Sequence, residues 1–467
     1  MATRSMGRSS GLGRRAFLKG AAAASAVYFM PNGAYLHAKG AKADAKKVAP
    51  SDKVNLGLIG IGGRGHSMAR TLETTGLCNM VALCDVDMGG RATLGSIKRF
   101  PDAPKFKDFR KMFDKMADKI DAVQIAVPDH AHFPIAMLAM SLGKGLYVEK
   151  PLAHTFQEVE LMMAAEKKYK VAAQMGNQGH GGYQYLQFEA WVKAGIIKNV
   201  RHVDAFMNRP RRWHGWKIDG YPTGEKMPET LDWDLWLSTA PKRPYSSKLH
   251  PGNWRSWYDF GNGAFGDWGP HTLDTIHRFL KLGLPFQVSA DKLDGPNKWI
   301  FPQASTISFA FKARGEMPPM KITWYDGVKN LPPRPKELDP KRKMDSCGKI
   351  IYSDEFVFKG GTHSSTLRII PEAKMKDAAS RLPKFGNTSS HAKNFLLSVM
   401  GKEKTRSSFD ISGPLTQMFL LGVIAQRLGG KLEFDAQAKQ ITNNQIANQL
   451  LVGPPPRKGW EQYYKMA

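Results

Sequence analysis

Runs of consecutive apolar residues mark the first part of the chain, and helix-spaced apolar residues lie between them. The continuous runs predict buried strands at residues 54–59, 80–84, 122–127, 146–148 and 171–175. Residues 156–168, between the last two runs, have the apolar spacing of a helix. Because strands and helices alternate, we predict an α/β, doubly wound parallel sheet with right-handed crossovers.

The pattern changes at about residue 183, where the alternation of strand and helix stops. Short apolar or alternating stretches predict strands at residues 200–207, 305–312, 320–324 and 350–358. Helical spacing predicts helices at residues 183–194, 391–400 and 414–428. A long segment rich in Trp, Pro and Arg ends at about residue 263. We therefore predict a second, C-terminal α+β lobe with a largely antiparallel open sheet.

The N-terminal segment has the features of an export leader. Arg14-Arg15 stand before Ala16-Phe17-Leu18-Lys19, an apolar stretch follows over residues 21–30, and small residues surround Ala34 and Ala38. This order is typical of a twin-arginine signal, which is read by the twin-arginine export machinery. The apolar stretch is shorter than the roughly 20 residues that span a bilayer. We therefore expect a periplasmic or otherwise exported protein without a stable membrane anchor.

The basic charge of the chain does not come with a nucleic-acid motif. The formal net charge is +27, of which residues 1–50 contribute +8 through nine Lys or Arg and one Asp, so +19 remains. Lys and Arg are scattered, and we predict no nucleic-acid partner. The three cysteines, Cys78, Cys84 and Cys347, have no metal spacing and are interpreted as structural thiols.

A glycine-rich turn follows the first predicted strand and opens a helix. Its residues are Gly60, Ile61, Gly62, Gly63, Arg64 and Gly65, and Asp85 ends the second predicted strand. This context is typical of a Rossmann dinucleotide site, in which the glycines allow a tight turn, close approach of the pyrophosphate and close helix packing. Asp85 would bind the ribose hydroxyls and favours NAD, while Arg64 and Arg91 keep NADP open as an alternative.

Further motifs resemble the Gfo/Idh/MocA oxidoreductases. They are Val127-Pro128-Asp129-His130, Glu149-Lys150-Pro151 and the segment from Gly263 to Asp274. The resemblance runs from about residue 54 to the C-terminus, and its second half resembles an exported bacterial subgroup. It implies cofactor contacts by Pro128, His130, Glu149 and Lys150. We divide the chain into a signal peptide and linker (1–45), a NAD-binding Rossmann domain (46–178) and a substrate-binding α+β domain (179–467).

The resemblance assigns catalytic roles to Lys150, Asp267 and His271. Lys150 would orient the reacting hydroxyl and lower the barrier to losing its proton. Asp267 and His271 are four residues apart, so on a helix both side chains share one face. His271 can take the hydroxyl proton while hydride leaves the same carbon, and Asp267 can orient the imidazole ring. Asp274 lies one turn further on and either binds a substrate hydroxyl or supports helix packing.

Aromatic and polar residues in the second half suggest a carbohydrate site. Flat rings stack on sugars, and among the clustered tryptophans we select Trp254 with Arg255 as substrate contacts, with Trp213, Trp216 and Trp257 as weaker candidates. His180 and Tyr183 follow the fifth predicted strand, where ligands gather in such sheets. No His-rich or Cys-rich motif accompanies Asp267, His271 and Asp274, so we predict no metal.

Three functions follow from these residues. The first is an exported oxidoreductase that moves hydride between tightly bound NAD(H) and a secondary hydroxyl of a sugar, glycoside or cyclitol. The second is a redox-neutral, NAD-dependent glycosidase, known in exported relatives that this chain resembles, which oxidises C3 transiently and eliminates the aglycone. The third is a non-catalytic NAD- or glycan-binding protein. Because free NAD is scarce outside the cytoplasm, both enzyme hypotheses require a cycle that regenerates the cofactor. The family resemblance also implies a homo-oligomer.

Overall fold

The computed structural model describes residues 53–179, 182–209, 216–363 and 365–467. For Tyr183 and Gln184 it describes the backbone but not the side chains. The predicted leader, Arg14-Arg15 included, lies outside these residues. Within the described ranges, no helix combines the length and the apolar character that crossing a membrane requires.

The first sheet is parallel and has six strands. Its strands are β1 (Val54–Ile59), β2 (Cys78–Cys84), β3 (Lys105–Phe106), β4 (Ala122–Ile125), β5 (Gly145–Val148) and β6 (Ala173–Met175). They lie in the order β3-β2-β1-β4-β5-β6, with parallel pairing throughout. The connecting helices are α1 (Gly63–Glu73), α2 (Leu94–Arg99), α3 (Phe109–Met116), α4 (His132–Ser141) and α5 (Phe156–Tyr169). The predicted doubly wound parallel sheet is confirmed.

The strands of this sheet are apolar because both of their faces are covered. All four residues of β4 and of β5 are buried. Helix α4 is buried on every side from His132 to Met140, and the C-terminal segment lies over it, with Tyr464 packed against Phe133 at 4.5 Å between ring centroids. The end of the chain therefore completes the core of the first domain.

The second sheet is mixed and largely antiparallel. Its strands are β7 (His202–Met207), β8 (Gln287–Asp294), β9 (Ala304–Phe311), β10 (Met320–Asp326), β11 (Cys347–Tyr352), β12 (Val357–Gly360), β13 (Arg368–Ile370), β14 (Gly430–Asp435) and β15 (Gln440–Ile441). They lie in the order β13-β12-β11-β7-β10-β9-β8-β14-β15, and only β7 and β10 pair in parallel. The predicted α+β second domain is confirmed.

Seven helices of the described residues accompany this sheet. They are α6 (Tyr183–Lys193), α7 (Trp233–Leu237), α8 (Gly263–Phe279), α9 (Glu372–Asp377), α10 (His391–Val399), α11 (Phe409–Leu428) and α12 (Gln445–Val452). The strand predicted at 350–358 is in fact a hairpin of β11 and β12. It breaks where the backbone N–H of Ser353 donates to the carbonyl of Phe356 at 3.0 Å.

Helix α8 links the two domains and carries the predicted catalytic residues. Phe265 on this helix packs against Trp324 of the second sheet and Phe419 of α11, with centroid distances of 4.9 Å in both cases. A Cβ at Gly422 of α11 would lie 2.4 Å from the Phe265 ring, so the two helices meet at a glycine. Since α8 is packed on two sides, its side chains are held in fixed positions at the edge of the first sheet.

Candidate active site

A cavity of about 380 Å³ lies at the carboxyl ends of the first parallel strands. Among the predicted cofactor residues, those that line it are Gly60, Gly62, Gly63, Arg64, Asp85 and Pro128. A Cβ at Gly60 would lie 2.4 Å from the backbone oxygen of Ala126, and one at Gly65 would lie 1.9 Å from the oxygen of Gly60. Both positions therefore require glycine, as the close turn of a dinucleotide site does. These residues fit a bound dinucleotide.

Asp85 is held at one end of this cavity by the backbone. Its carboxylate accepts hydrogen bonds from the N–H groups of Ile61 at 2.9 Å and Asp87 at 3.0 Å, and burial raises its pKa. Arg64, which kept NADP open, instead donates through Nε to Glu149 Oε1 at 2.7 Å. Arg64 is thus paired with Glu149, the residue before Lys150.

Lys150 and Asp267 meet where β5 ends and α8 begins. Lys150 Nζ donates to Asp267 Oδ1 at 2.6 Å, and the two side chains are only 13% and 11% exposed. Arg255 Nε lies 3.9 Å from the same Oδ1, and Arg255 also lines the cofactor cavity. The structure therefore brings two of the three predicted catalytic residues into direct contact beside the cofactor cavity.

His271 lies one helical turn after Asp267 and is 7% exposed. Burial, followed by the positive charge of Lys150, lowers its pKa well below the usual histidine range, so its ring is neutral at neutral pH. Asp267 accepts a hydrogen bond from Lys150, and the orientation of the His271 ring by Asp267 stays a prediction. Among the described residues, His271 Nδ1 has no hydrogen-bond partner.

A second histidine, which sequence reasoning missed, packs on His271. The ring of His363 is stacked on the His271 ring with centroids 3.9 Å apart and planes 18° apart. The backbone N–H of His363 donates to the His271 carbonyl at 2.7 Å. The signal in the sequence was a histidine after the glycine pair Gly360-Gly361, at the end of a strand. The single strand predicted at 350–358 did not indicate the hairpin of β11 and β12. The loop that carries His363 was therefore not predicted.

Asp274 is 4% exposed and lies close to Lys349 of β11. Lys349 is 1% exposed and donates to the Thr272 carbonyl at 2.9 Å. Burial lowers the pKa of Lys349 to about 8, and the charge of Asp274 opposes this shift. Of the two alternatives for Asp274, this position favours support of α8. In the described residues, no group of three or more His, Cys, Asp or Glu side chains could hold a metal ion.

The Pro128–His130 segment joins the two domains. His130 Nε2 lies 2.8 Å from the Trp236 carbonyl and Nδ1 lies 3.2 Å from the Phe260 carbonyl, while burial lowers its pKa to about 3. Its side chain does not line the cofactor cavity, whereas Pro128 does. Asp129, also missed, accepts hydrogen bonds from the backbone N and the side chain of Asn262 at 3.0 and 3.1 Å. This contact anchors the start of α8.

The aromatic residues divide into cavity-lining and core positions. Trp254 lines the cofactor cavity, and the Arg255 guanidinium lies 4.1 Å from its ring centroid. Trp257 is fully buried, and Trp216 packs on it. Of the predicted substrate contacts, His180, Trp213 and the side chain of Tyr183 lie outside the described residues.

Residues 230–239, here named the clasp, cross the cofactor cavity from the second domain. Thr230 donates to Asp87 Oδ1 at 2.6 Å, and the Asp232 N–H donates to the Val86 carbonyl at 2.8 Å. At the other end, Thr239 donates to the His130 carbonyl at 3.0 Å. Trp236 in the middle lines the cavity.

The C-terminal segment holds the clasp from outside. Arg457 Nε donates to the Ser238 carbonyl at 2.8 Å, and its Nη2 donates to the Asp234 carbonyl at 2.7 Å. The Arg457 side chain is 14% exposed. The clasp therefore covers the cofactor cavity and is bound both by the first domain and by the C-terminal segment.

Two family models match the chain in the regions just described. Residues 54–177 match the Gfo/Idh/MocA model described as oxidoreductase family, NAD-binding Rossmann fold, and residues 203–297 match its C-terminal alpha/beta domain. Residues 54–177 and 203–297 belong to the Gfo/Idh/MocA oxidoreductase family. The predictions of this family, of its fold class and of a NAD cofactor are thereby confirmed.

Sequence relatives of this Gfo/Idh/MocA chain carry glycosidase names. It is 29% identical over 258 residues to Glycosyl hydrolase family 109 protein 2 of Shewanella sp. (strain ANA-3), covering 52% of this chain and 53% of that protein. It is 30% identical over 223 residues to the Glycosyl hydrolase family 109 protein of Shewanella baltica (strain OS155 / ATCC BAA-1091), covering 44% and 48%. The alignments thus span about half the length of each relative.

Solved structures share the fold of the chain. One is the WlbA dehydrogenase from Bordetella pertussis in complex with NADH and UDP-GlcNAcA, with a TM-score of 0.55, 15% identity, and coverage of 82% of this chain and 99% of that one. Another is the aldose-aldose oxidoreductase from Caulobacter crescentus complexed with glycerol, with a TM-score of 0.53, 14% identity, and coverage of 82% and 100%. At these identities the likeness shows a shared fold and no more.

Proposed function

We propose that the protein is a NAD-dependent oxidoreductase that acts on a secondary hydroxyl of a sugar, glycoside or cyclitol. The observation that carries this proposal is the contact between Lys150 and Asp267 beside the cofactor cavity, with neutral His271 one turn away. When bound, NAD supplies the acceptor or donor of hydride. Lys150 Nζ donates a hydrogen bond to the reacting oxygen, and a ring nitrogen of His271 takes its proton.

The lining of the site supports a carbohydrate as substrate. Trp254 offers an indole face that suits the C–H face of a sugar ring, and Arg255 beside it offers hydrogen-bond donors to hydroxyl or carboxylate groups. Proteins of the same fold are named as complexes with UDP-GlcNAcA and with glycerol, both rich in hydroxyl groups. We assign Asp267 the role of balancing the positive charge of Lys150 while the substrate oxygen is bound.

The second candidate function is NAD-dependent, redox-neutral glycoside hydrolysis, which the names of the glycosyl hydrolase family 109 relatives support. Once a ring hydroxyl has become a carbonyl, the neighbouring C–H is acidic, so a base can remove its proton and expel the aglycone. Water then adds, and the carbonyl is reduced again. The same Lys150 and His271 serve both candidates, and the fate of the glycosidic bond distinguishes them.

We further propose that the protein is an exported member of the family, carries its NAD tightly bound in the periplasm and forms a homo-oligomer. The twin-arginine pattern at Arg14-Arg15 supports export by a route that carries folded proteins. The clasp over the cofactor cavity supports retention of the cofactor. The oligomer rests on the family resemblance.

The test is made on the purified, exported protein. Absorbance near that of NADH reports bound cofactor, and nitrophenyl glycosides, free sugars and a keto-sugar serve as substrates. Oxidation of bound NADH by the keto-sugar supports the oxidoreductase, while release of nitrophenol without net cofactor change supports the glycosidase. Bound NAD with no turnover of any of these compounds would favour the non-catalytic alternative. A protein that neither holds nor binds any dinucleotide would contradict both enzyme functions.

A further inference from the structure

His363 adds a second imidazole to the catalytic centre. It lies in the loop after β12 with a φ of +55°, a left-handed conformation that few residues other than glycine adopt. Two contacts hold it there: its backbone N–H donates to the His271 carbonyl, and Thr362 Oγ1 lies 2.9 Å from its Nδ1. The loop therefore places this ring on His271 in an uncommon backbone conformation.

One ring nitrogen of His363 is positioned for chemistry. Among the described residues, its hydrogen-bond partner is Thr362, at Nδ1, which leaves Nε2 on the opposite edge of the ring. The side chain is half-buried, whereas His271 below it is buried. With Nδ1 held by Thr362, Nε2 is the ring nitrogen that can accept a proton.

The stacked arrangement decides what the two rings can do together. Hydrogen bonds of imidazole lie in the plane of the ring, and the two planes differ by only 18°. The rings therefore cannot pass a proton directly to each other. The nitrogens of the two rings instead lie at neighbouring positions. This arrangement suits two proton transfers, one by each ring, at adjacent atoms of one substrate.

The charges around the stack keep both rings neutral. The groups that face it are Lys150 at the end of β5, Arg64 of α1, Lys349 of β11 and Asp267 of α8. Burial, followed by Lys150, lowers the pKa of His363, and only Asp267 opposes this shift. Both imidazoles are thus able to accept a proton at neutral pH.

We propose that His363 Nε2 is a second base, which removes the proton from the carbon next to the carbonyl carbon of a keto-sugar bound in this site. The C–H bond breaks, its electron pair forms a carbon–carbon double bond, and the carbonyl becomes an enolate oxygen that receives a hydrogen bond from Lys150 Nζ. The proton on His363 Nε2 exchanges with solvent, and His363 then returns a solvent-derived proton to the carbon. This step needs no oxidant once the keto-sugar is present, and it rests on the proposed carbohydrate function.

The experiment follows hydrogen exchange at carbon in heavy water. The cofactor-loaded protein is incubated with methyl 3-ketoglucoside in D₂O, and NMR measures loss of the proton signals at C2 and C4. Oxidation of bound NADH by the same compound is measured separately. We expect the wild-type protein to exchange one of these protons and also to oxidise NADH.

Two variants separate a base from a packing residue. His363→Phe keeps a ring on His271 but has no nitrogen, and His363→Asn suits the left-handed backbone. Both are expected to slow the exchange about 100-fold more than they slow NADH oxidation. The reciprocal variant His271→Asn is expected to slow NADH oxidation more than the exchange. Thermal unfolding and NAD content are measured on each variant to verify folding.

The outcomes distinguish the two proposals. A wild-type protein that oxidises NADH without any exchange would overturn the role of His363 alone. Equal losses of exchange and NADH oxidation in the Phe and Asn variants would also overturn it, because His363 would then only position His271. A protein that neither oxidises NADH with any keto-sugar nor exchanges a proton would overturn the proposed function as well.

Discussion

Single residues of the site hold opposite charges on side chains that are mostly buried. The Lys150–Asp267 contact at 2.6 Å satisfies two ionised groups that would be costly to bury alone. The contact uses Oδ1 of the Asp267 carboxylate. His271 is held by its stacking on His363 and by its place on α8.

Replacing Lys150 tests the central residue of the site. The Lys150→Met variant keeps the length of the side chain but removes the charge that binds the substrate oxygen. We expect kcat to fall about 10²- to 10⁴-fold while NAD remains bound. The matched control is Lys193→Met, because Lys193 forms a surface ion pair with Glu189 and is 74% exposed. An active Lys150→Met variant would exclude the proposed role of Lys150.

The pH profile of kcat/KM for alcohol oxidation tests the state of His271. Its lowered pKa means that activity should persist below the usual histidine pKa and fall only at lower pH. The negative charge of Asp267 raises the pKa of His271, so Asp267→Asn should move the acidic limb further down. A limb that moves to higher pH in this variant would contradict the assignment of that limb to His271.

The same shift predicts the pH dependence of stability. Below about pH 6.5 the unfolded chain binds a proton on this histidine, while the folded protein keeps His271 neutral. The stability contributed by neutral His271 is therefore present above that pH and is lost as the pH falls. Urea unfolding of the wild-type protein and the His271→Asn variant should diverge less at acidic than at neutral pH.

Secondary elements differ in how well the sequence predicts them. The strands of the first sheet are continuous apolar runs because helices cover both faces, and each of the five predicted strands is present. β8 and β14 were missed because polar residues such as Lys292 and Glu433 interrupt their pattern. β3 has only two residues, which is too short for any periodicity. Pairing with neighbouring strands, not local sequence, forms these elements.

The clasp predicts slow release of the cofactor. Arg457 holds Ser238 and Asp234 from outside, and loss of such charged hydrogen bonds costs about 1.5–3 kcal/mol each. Arg457→Ala should therefore release NAD at least about tenfold faster, since 1.4 kcal/mol corresponds to a factor of ten. Release is measured by fluorescence of NADH after dilution into excess NAD.

The neighbouring residue provides the control for this prediction. Lys458 is exposed, so Lys458→Ala should release the cofactor at the wild-type rate. Thr230→Val, which removes the hydrogen bond to Asp87 at the other end of the clasp, should act in the same direction as Arg457→Ala. Unchanged release in both clasp variants would show that residues 230–239 do not retain the cofactor.

At the scale of the whole molecule, the sequence predicts the site residues that lie in local motifs. It does not predict the contacts between segments that are far apart in the chain. The glycine turn and Lys150 follow the ends of strands, and Asp267 and His271 lie four residues apart on one helix. The stack of His363 on His271 and the cover over the cofactor cavity join segments far apart in the chain. Such contacts arise only when the second sheet and α8 pack together.

Export of a folded, cofactor-loaded protein is the prediction that concerns the entire chain. Because NAD is recycled in the cytoplasm, a protein that works in the periplasm must acquire it before export and then keep it. We expect the full-length protein, expressed in a bacterium with twin-arginine export, to reach the periplasm with NAD bound. Cell fractionation and the NAD content of the purified protein measure this.

Substitution of Arg14 and Arg15 by Lys tests the route. This change keeps the charge but removes the pair that the export machinery reads, so the protein should stay in the cytoplasm with its NAD and its activity unchanged. The matched control replaces Arg4 and Arg8 by Lys, which also keeps the charge and should leave export intact. Export that survives the Arg14-Arg15 substitution would disprove the route, whereas exported protein without NAD would disprove cofactor retention, since the clasp would then fail at the step where retention matters.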